Sequence, residues 1–145
     1  MTEVESQTPV NIDPSANNDV TVDIDVAADI DLEGDWKLAV EAAASRKAED
    51  PVVLHIGAIS SFTDYFVLLT GANQRQTQAI ADAIERDLRD KALRPLGVEG
   101  RQAGEWILMD YGDFLVHIFS PEKRAFYDLE RLWKAAPRVP LPAAA

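Results

Sequence analysis

Trp106-Ile107-Leu108-Met109-Asp110-Tyr111-Gly112-Asp113-Phe114-Leu115-Val116-His117-Ile118-Phe119 is two short β-rich runs separated by a turn signal. Gly112 supplies the positive φ that a tight reversal needs. The spacing therefore predicts an antiparallel hairpin of Trp106 to Asp110 with Phe114 to Phe119. Alternation places Trp106, Leu108 and Asp110 on one face of the first strand and Ile107 and Met109 on the other. Both faces are apolar at their centres, more than helices alone need to cover. Ser120-Pro121 follows at once, an N-cap with proline at the first helical position. It predicts a closing helix that buries Phe126, Leu129 and Trp133.

Upstream, Val52-Val53-Leu54-His55-Ile56 and Phe66-Val67-Leu68-Leu69-Thr70 are short and apolar throughout, the pattern of strands buried on both faces. They are expected at the sheet centre, joined by a loop or single turn from Gly57 to Tyr65. The clearest helix comes next, with Asn73 as N-cap, Gln76 in the capping-box position, and Ile80, Ala83, Ile84, Leu88 and Ala92 on one face. Asp82, Glu85, Arg86, Arg89 and Asp90 solvate its other faces, and Pro95 is its expected end. Strand, helix and then the short strand Leu96 to Gly100 suggest a crossover unit. An earlier helix is expected from Asp35 as N-cap to Lys47, burying Leu38, Ala39, Ala42 and Ala43. The sum is an α/β fold: a mixed sheet of about five strands covered by helices in a single domain.

The 145 residues carry a formal net charge of -11, but unevenly. Ten of the 25 acids lie between Met1 and Asp35, where there is no Lys or Arg, leaving 15 acids against 14 bases in the rest. Residues 1–34 therefore read as an acidic disordered leader, 35–136 as one nearly neutral domain, and 137–145 as a Pro/Ala tail. Within the leader, the alternation from Val22 to Val26 is the segment that fits an edge strand. A neutral body lacks the Lys/Arg field of a nucleic-acid binder. Arg86, Arg89, Lys91 and Arg94 read as a solvated helix face paired with Asp82, Glu85 and Asp90, so direct nucleic-acid contact is expected to be minor or absent. With no cysteine, disulfides, thiolate metal sites and thiol nucleophiles are excluded. No apolar run reaches the roughly 18 to 20 residues of a membrane span, and a targeting pattern is missing at the start. The expectation is a soluble cytoplasmic protein with no membrane partner.

Catalytic groups are sparse. The loop Thr70-Gly71-Ala72-Asn73-Gln74-Arg75 lies between strand and helix, where amides and the helix dipole hold phosphates. It lacks the further glycines of a dinucleotide loop and the Lys-Ser/Thr of a phosphate loop. A glycine bend before an Asn cap is the favoured reading; a nucleotide-binding or nucleotidyltransferase-like enzyme using the Gly71 loop is the alternative. Asp110 and Asp113 flank a turn, whose hydrogen bonding accounts for them better than a shared metal ion. His55 and His117 lie inside apolar strands, where a histidine with its ring nitrogens satisfied is commoner than a ligand or base. No catalytic residue, metal or cofactor is therefore expected. Trp106, beside Glu105, Asp110 and Tyr111, has instead the composition of an interface anchor with a polar rim, although composition alone reads it equally well as core. Trp133, at helical spacing from Phe126, reads as core. Glu99, Glu105, Asp110 and Asp113 bias the surrounding surface toward a basic protein partner.

The chain resembles the ribosomal silencing factor S family, also called Iojap-like. The resemblance rests on Thr63-Asp64-Tyr65-Phe66 with Thr70-Gly71, on Pro95-Leu96-Gly97-Val98-Glu99-Gly100, on Trp106 to Asp113, on Val116-His117-Ile118-Phe119, and on Tyr127-Asp128-Leu129-Glu130-Arg131-Leu132-Trp133. These stretches follow in order with compatible spacing from Asp35 to Trp133. What the resemblance implies is a protein that docks on ribosomal protein L-fourteen of the large ribosomal subunit. There it blocks joining of the small subunit and lowers translation when nutrients are scarce. It implies no catalysis, and a fold distantly similar to nucleotidyltransferases without their active site. It also allows a homodimer off the ribosome. By position it assigns Trp106 as the main contact, Leu108, Asp110, Tyr111 and His117 as weaker ones, and Glu99 as a charged contact. The long acidic leader departs from the family's compact pattern.

Overall fold

The computed structural model describes residues 30–142. The expected disordered leader up to residue 29, with its Val22 to Val26 alternation, lies outside the described residues. Five strands form one sheet: β1 Glu49–His55, β2 Tyr65–Thr70, β3 Gly97–Glu99, β4 Trp106–Asp110 and β5 Phe114–Phe119, in the order β1-β2-β5-β4-β3. The helices are α1 Trp36–Ser45, α2 Gln74–Arg89, α3 Pro121–Tyr127 and α4 Leu129–Leu132. β2 and β5 pair parallel while the other neighbours pair antiparallel, so the sheet is mixed as expected. α2 carries the chain from β2 to the far edge at β3, which runs in the same direction as β2. The hairpin of β4 and β5 then brings the chain back beside β2.

The expected central pair is corrected: β2 is internal, but β1 is an edge strand and β5 holds the centre. β1 stays apolar because the C-terminal segment lies along its outer edge. His55 N–H donates to Pro137 O and Val139 N–H to Val53 O, each at 2.8 Å. Ala136 is buried, and so is Val139 of the Pro/Ala segment, which therefore contributes one side chain to the core. Between β1 and β2, a 3-10 turn at Ile56–Ala58 opens the loop. Its far end pins the β4–β5 turn. Thr63 Oγ1 donates to Gly112 O at 2.9 Å and Asp64 N–H to Asp113 O at 3.0 Å, while Gly112 takes φ +85°.

α2 begins as its sequence requires, with Asn73 Oδ1 accepting from Gln76 N–H at 2.9 Å. Gln76 Oε1 reaches back to the N–H of Ala72 at 2.6 Å. It stops at Arg89, well before Pro95, because the chain reverses through a Schellman closure. Ala92 N–H donates to Arg89 O and Leu93 N–H to Leu88 O, each at 2.9 Å, with Ala92 at φ +64°. Ala92 therefore leaves the buried stripe, which gains Thr77 and Ala81. α1 ends the same way at Lys47, φ +62°, with Ala48 N–H on Ala43 O at 3.1 Å. Its start also differs from expectation, since the Asp35 side chain makes no cap bond. A turn at residues 31–34 precedes it, and Trp36 Nε1–H donates to Asp31 O at 2.9 Å. Trp36 is buried against Tyr65 with ring centroids 5.7 Å apart, while Leu38 is only half-buried.

The closing helix is two pieces rather than one. Ser120 caps α3 as expected, its Oγ accepting from Lys123 N–H at 3.2 Å, but Asp128 breaks the helix at φ +46°. In a straight helix Arg124 and Glu130 would point about 120° apart around the axis. Here the guanidinium meets the Glu130 carboxylate through Nε at 3.1 Å and Nη2 at 3.0 Å. It also donates to Thr70 Oγ1 at 2.8 Å and Asp50 O at 2.9 Å, tying the break to the sheet. The expectation for Phe126 fails in consequence: Leu129 is buried, Trp133 half-buried, and Phe126 76 % exposed.

Candidate functional site

The two faces of the sheet are covered unequally. α2 packs over Ile107, Met109, Val116 and Ile118, which are fully buried. On the opposite face Leu129 packs with Leu54, Phe66, Leu68 and Phe119, over β1, β2 and β5. The β4 positions of that face, Trp106, Leu108 and Asp110, are left half-buried. Cross-strand pairing sets Leu108 beside His117 of β5 and Glu99 of β3. Five of the six sequence-proposed contact residues therefore share one face: Trp106, Leu108, Asp110, His117 and Glu99.

Tyr111 is the exception. One step past Asp110, it turns to the helix-covered side and stacks on Phe114 with centroids 5.0 Å apart. Its hydroxyl is pushed up to about 12, first by burial and then by the charge of Glu85, with Arg101 opposing. Arg101 also corrects the expected charge pairing along α2. Asp82 and Glu85 bond to Arg101 of the β3–β4 loop instead of to arginines on their own helix.

Around Trp106 the open face is aromatic. The indole lies against Tyr127 at 4.4 Å and Phe119 at 5.2 Å between centroids. Its Nε1–H donates to His117 Nδ1 at 3.1 Å. The row continues from His117 to Phe66 at 4.6 Å, then to Trp133 at 5.5 Å and Phe62 at 5.8 Å. Trp106 is thus neither plain core nor a free knob, since it is half-buried, packed on two aromatic rings and hydrogen-bonded to His117. Sequence reasoning missed Tyr127, Phe126 and Phe62 as surface aromatics. The sequence pattern held no signal for them, because the backbone break at Asp128, which exposes Phe126, depends on tertiary contacts.

Both histidines depart from the expected fully satisfied ring. His117 Nε2 and His55 Nδ1 are buried without a hydrogen-bond partner among the described residues. Burial pushes His117 down to about 3, so its ring is neutral at physiological pH. The acids behave as structural groups. Asp110 Oδ1 accepts from Gly112 N–H at 2.8 Å within the turn, and Glu130 is held below the usual carboxylate range, chiefly by its hydrogen bond from Arg124. At the Gly71 loop, a Cβ would sit 2.8 Å from Thr77 Cγ2 and 2.9 Å from Thr77 N, so glycine is needed for close approach of strand to helix. Two amides at this helix start are engaged, Ala72 N–H by Gln76 Oε1 and Gln76 N–H by Asn73 Oδ1. Among the described residues no helix is long and apolar enough to cross a membrane.

A mixed sheet covered by α2 on one face and left partly open at β4 on the other defines a small α/β protein with an exposed aromatic patch, whose rim holds Glu99, Glu105 and Lys123. Residues 30–145 match the family described as "Ribosomal silencing factor during starvation", and the chain belongs to that family. It is 38% identical over 105 residues to the ribosomal silencing factor RsfS of Halalkalibacterium halodurans, covering 72% of this chain and 90% of that one. The chloroplastic protein Iojap of Zea mays is 35% identical over 102 residues, 70% of this chain and 44% of that longer protein. A crystal structure of a protein from Chromobacterium violaceum has the same fold, with TM-score 0.69 and 32% identity over 80% of this chain and 95% of that one.

Proposed function

We propose that this protein silences translation in the cytoplasm by seating its open sheet face on ribosomal protein L-fourteen of the large subunit, where its bulk keeps the small subunit from joining. Family membership supports the ribosome as the setting. The observation that carries the docking reading is Trp106, a half-buried indole with a fixed plane at the middle of an aromatic face. Aromatic anchors ringed by polar groups dominate binding energy at protein interfaces. Glu99 and Glu105 are exposed and Asp110 half-buried, which suits a basic partner. Activity here is occupancy of a surface, so affinity and bulk decide it and no bond is made or broken. In a sucrose-gradient assay, added protein should shift joined ribosomes toward free subunits. Trp106→Ala should weaken large-subunit binding by about 2 kcal/mol, roughly thirtyfold, and lose most of that shift. A folded Trp106→Ala variant that cosediments with large subunits as well as the wild type removes this face from the site.

A further inference from the structure

His117 occupies the centre of β5, between Leu108 of β4 and Leu68 of β2, and is 4 % exposed. An indole N–H only donates, so the 3.1 Å bond from Trp106 requires an unprotonated Nδ1. The ring proton is then on Nε2, which is buried without a hydrogen-bond partner among the described residues. Phe66 and Phe119 wall the ring, with centroids 4.6 and 6.1 Å away. A buried donor without an acceptor weakens a fold, and an apolar side chain of similar volume carries no such penalty. Stability alone therefore does not account for a histidine at this position. The geometry of its other nitrogen does.

We propose that His117 is a positioning residue for the Trp106 anchor: through Nδ1 it fixes the plane of the indole across the open face, and it does not itself meet the partner. Tyr127 and Phe119 hold the indole by its faces, but only His117 takes its N–H and so sets its rotation. An anchor held before docking loses less side-chain freedom on binding. Burial supports the arrangement, because a ring that stays neutral keeps its Nδ1 lone pair. The consequence for affinity rests on the docking function proposed above, whereas the lock is a property of the free protein.

Two variants of the full chain separate these claims. His117→Leu fills the volume without an acceptor, and His117→Asn sets a carbonyl oxygen close to the place of Nδ1. In the wild type, long-range proton–nitrogen correlation should find the His117 proton on Nε2. His117→Leu should melt at or above the wild-type temperature, shift the Trp106 indole N–H resonance and speed its hydrogen exchange. It should also bind large subunits roughly three- to tenfold more weakly. His117→Asn should restore the indole resonance and most of the affinity. A proton on Nδ1, or an indole resonance unchanged in His117→Leu, overturns the lock. A His117→Leu variant that loses stability and is not rescued by Asn makes His117 a core residue and overturns it as well. If Trp106→Ala weakens binding and His117→Leu does not, the positioning role fails alone. If Trp106→Ala has no effect, the docking reading fails and the resonance measurements still decide the lock.

Discussion

Trp106 and His117 form a pair in which each explains the other's exposure. The indole can stay at the surface because its faces rest on Tyr127 and Phe119, and the imidazole can stay buried because it is neutral. That neutrality has a consequence for acid stability. His117 is pushed down to about 3 by burial, against about 6.5 in an unfolded chain. Between those values the unfolded chain binds a proton that the folded one refuses, so stability rises with pH and is lost as pH falls below about 6.5. The slope approaches about 1.4 kcal/mol per pH unit well inside that window. Urea titrations should therefore show wild-type stability falling between pH 6 and pH 5, with a flatter profile in His117→Leu. Equal slopes would assign the acid loss to other groups. Glu130, depressed chiefly by Arg124, acts in the same direction but only as pH falls through the carboxylate range. At this scale the sequence was informative about identity and silent about state. Strand alternation makes the shared face of Trp106, Leu108 and Asp110 legible, whereas Glu99 and His117 join it through a strand register that the fold sets. A histidine's tautomer depends on which neighbour the tertiary fold brings to its nitrogen.

Helix ends show where local chemistry decides and where it does not. Asn73 and Gln76 cap α2 through groups within four residues, and sequence alone locates that start. Replacing Asn73 with Ala should cost about 1 kcal/mol, read as a lower denaturant midpoint. The other end could not be read, because Ala92 and Lys47 adopt positive φ without the glycine that usually marks such closures. Both positions carry strain that a glycine relieves. Ala92→Gly should therefore stabilise the protein by about 1 kcal/mol, although glycine in an exposed helix interior destabilises by a similar amount. A destabilised Ala92→Gly would mean that the left-handed geometry is not retained in solution. The break between α3 and α4 was illegible for a related reason. It depends on Arg124 reaching Thr70 and Asp50, partners more than fifty residues away in the chain.

At the scale of the molecule, the sheet's two ends are finished differently. The β3–β4 end carries the open face, whereas the β1 edge is closed by the chain's own C-terminal segment. Composition could announce a mixed sheet but not this order, since an apolar strand looks the same beside another strand as beside a covering segment. Pro137 to Val139 read as tail because prolines and alanines have no strand signature, yet the segment needs only two backbone bonds and one buried side chain. The clasp should matter in proportion. Ending the chain at Ala136 removes Pro137 O from His55 N–H and the Val139 N–H from Val53 O, and deletes the Val139 side chain, which is 4 % exposed in the intact protein. Two net hydrogen bonds of about 1 kcal/mol each and the burial of a valine, about 1.5 kcal/mol, make a loss of roughly 3.5 kcal/mol. It should appear as a lower denaturant midpoint, with a greater tendency to associate because an unpaired strand edge is exposed. Trp106 lies toward the other end of the sheet, so large-subunit binding should remain close to wild type at temperatures where the shortened chain is folded. Loss of binding without loss of stability would place the C-terminal segment in the docking surface. An unchanged midpoint would show that β1 needs no cover.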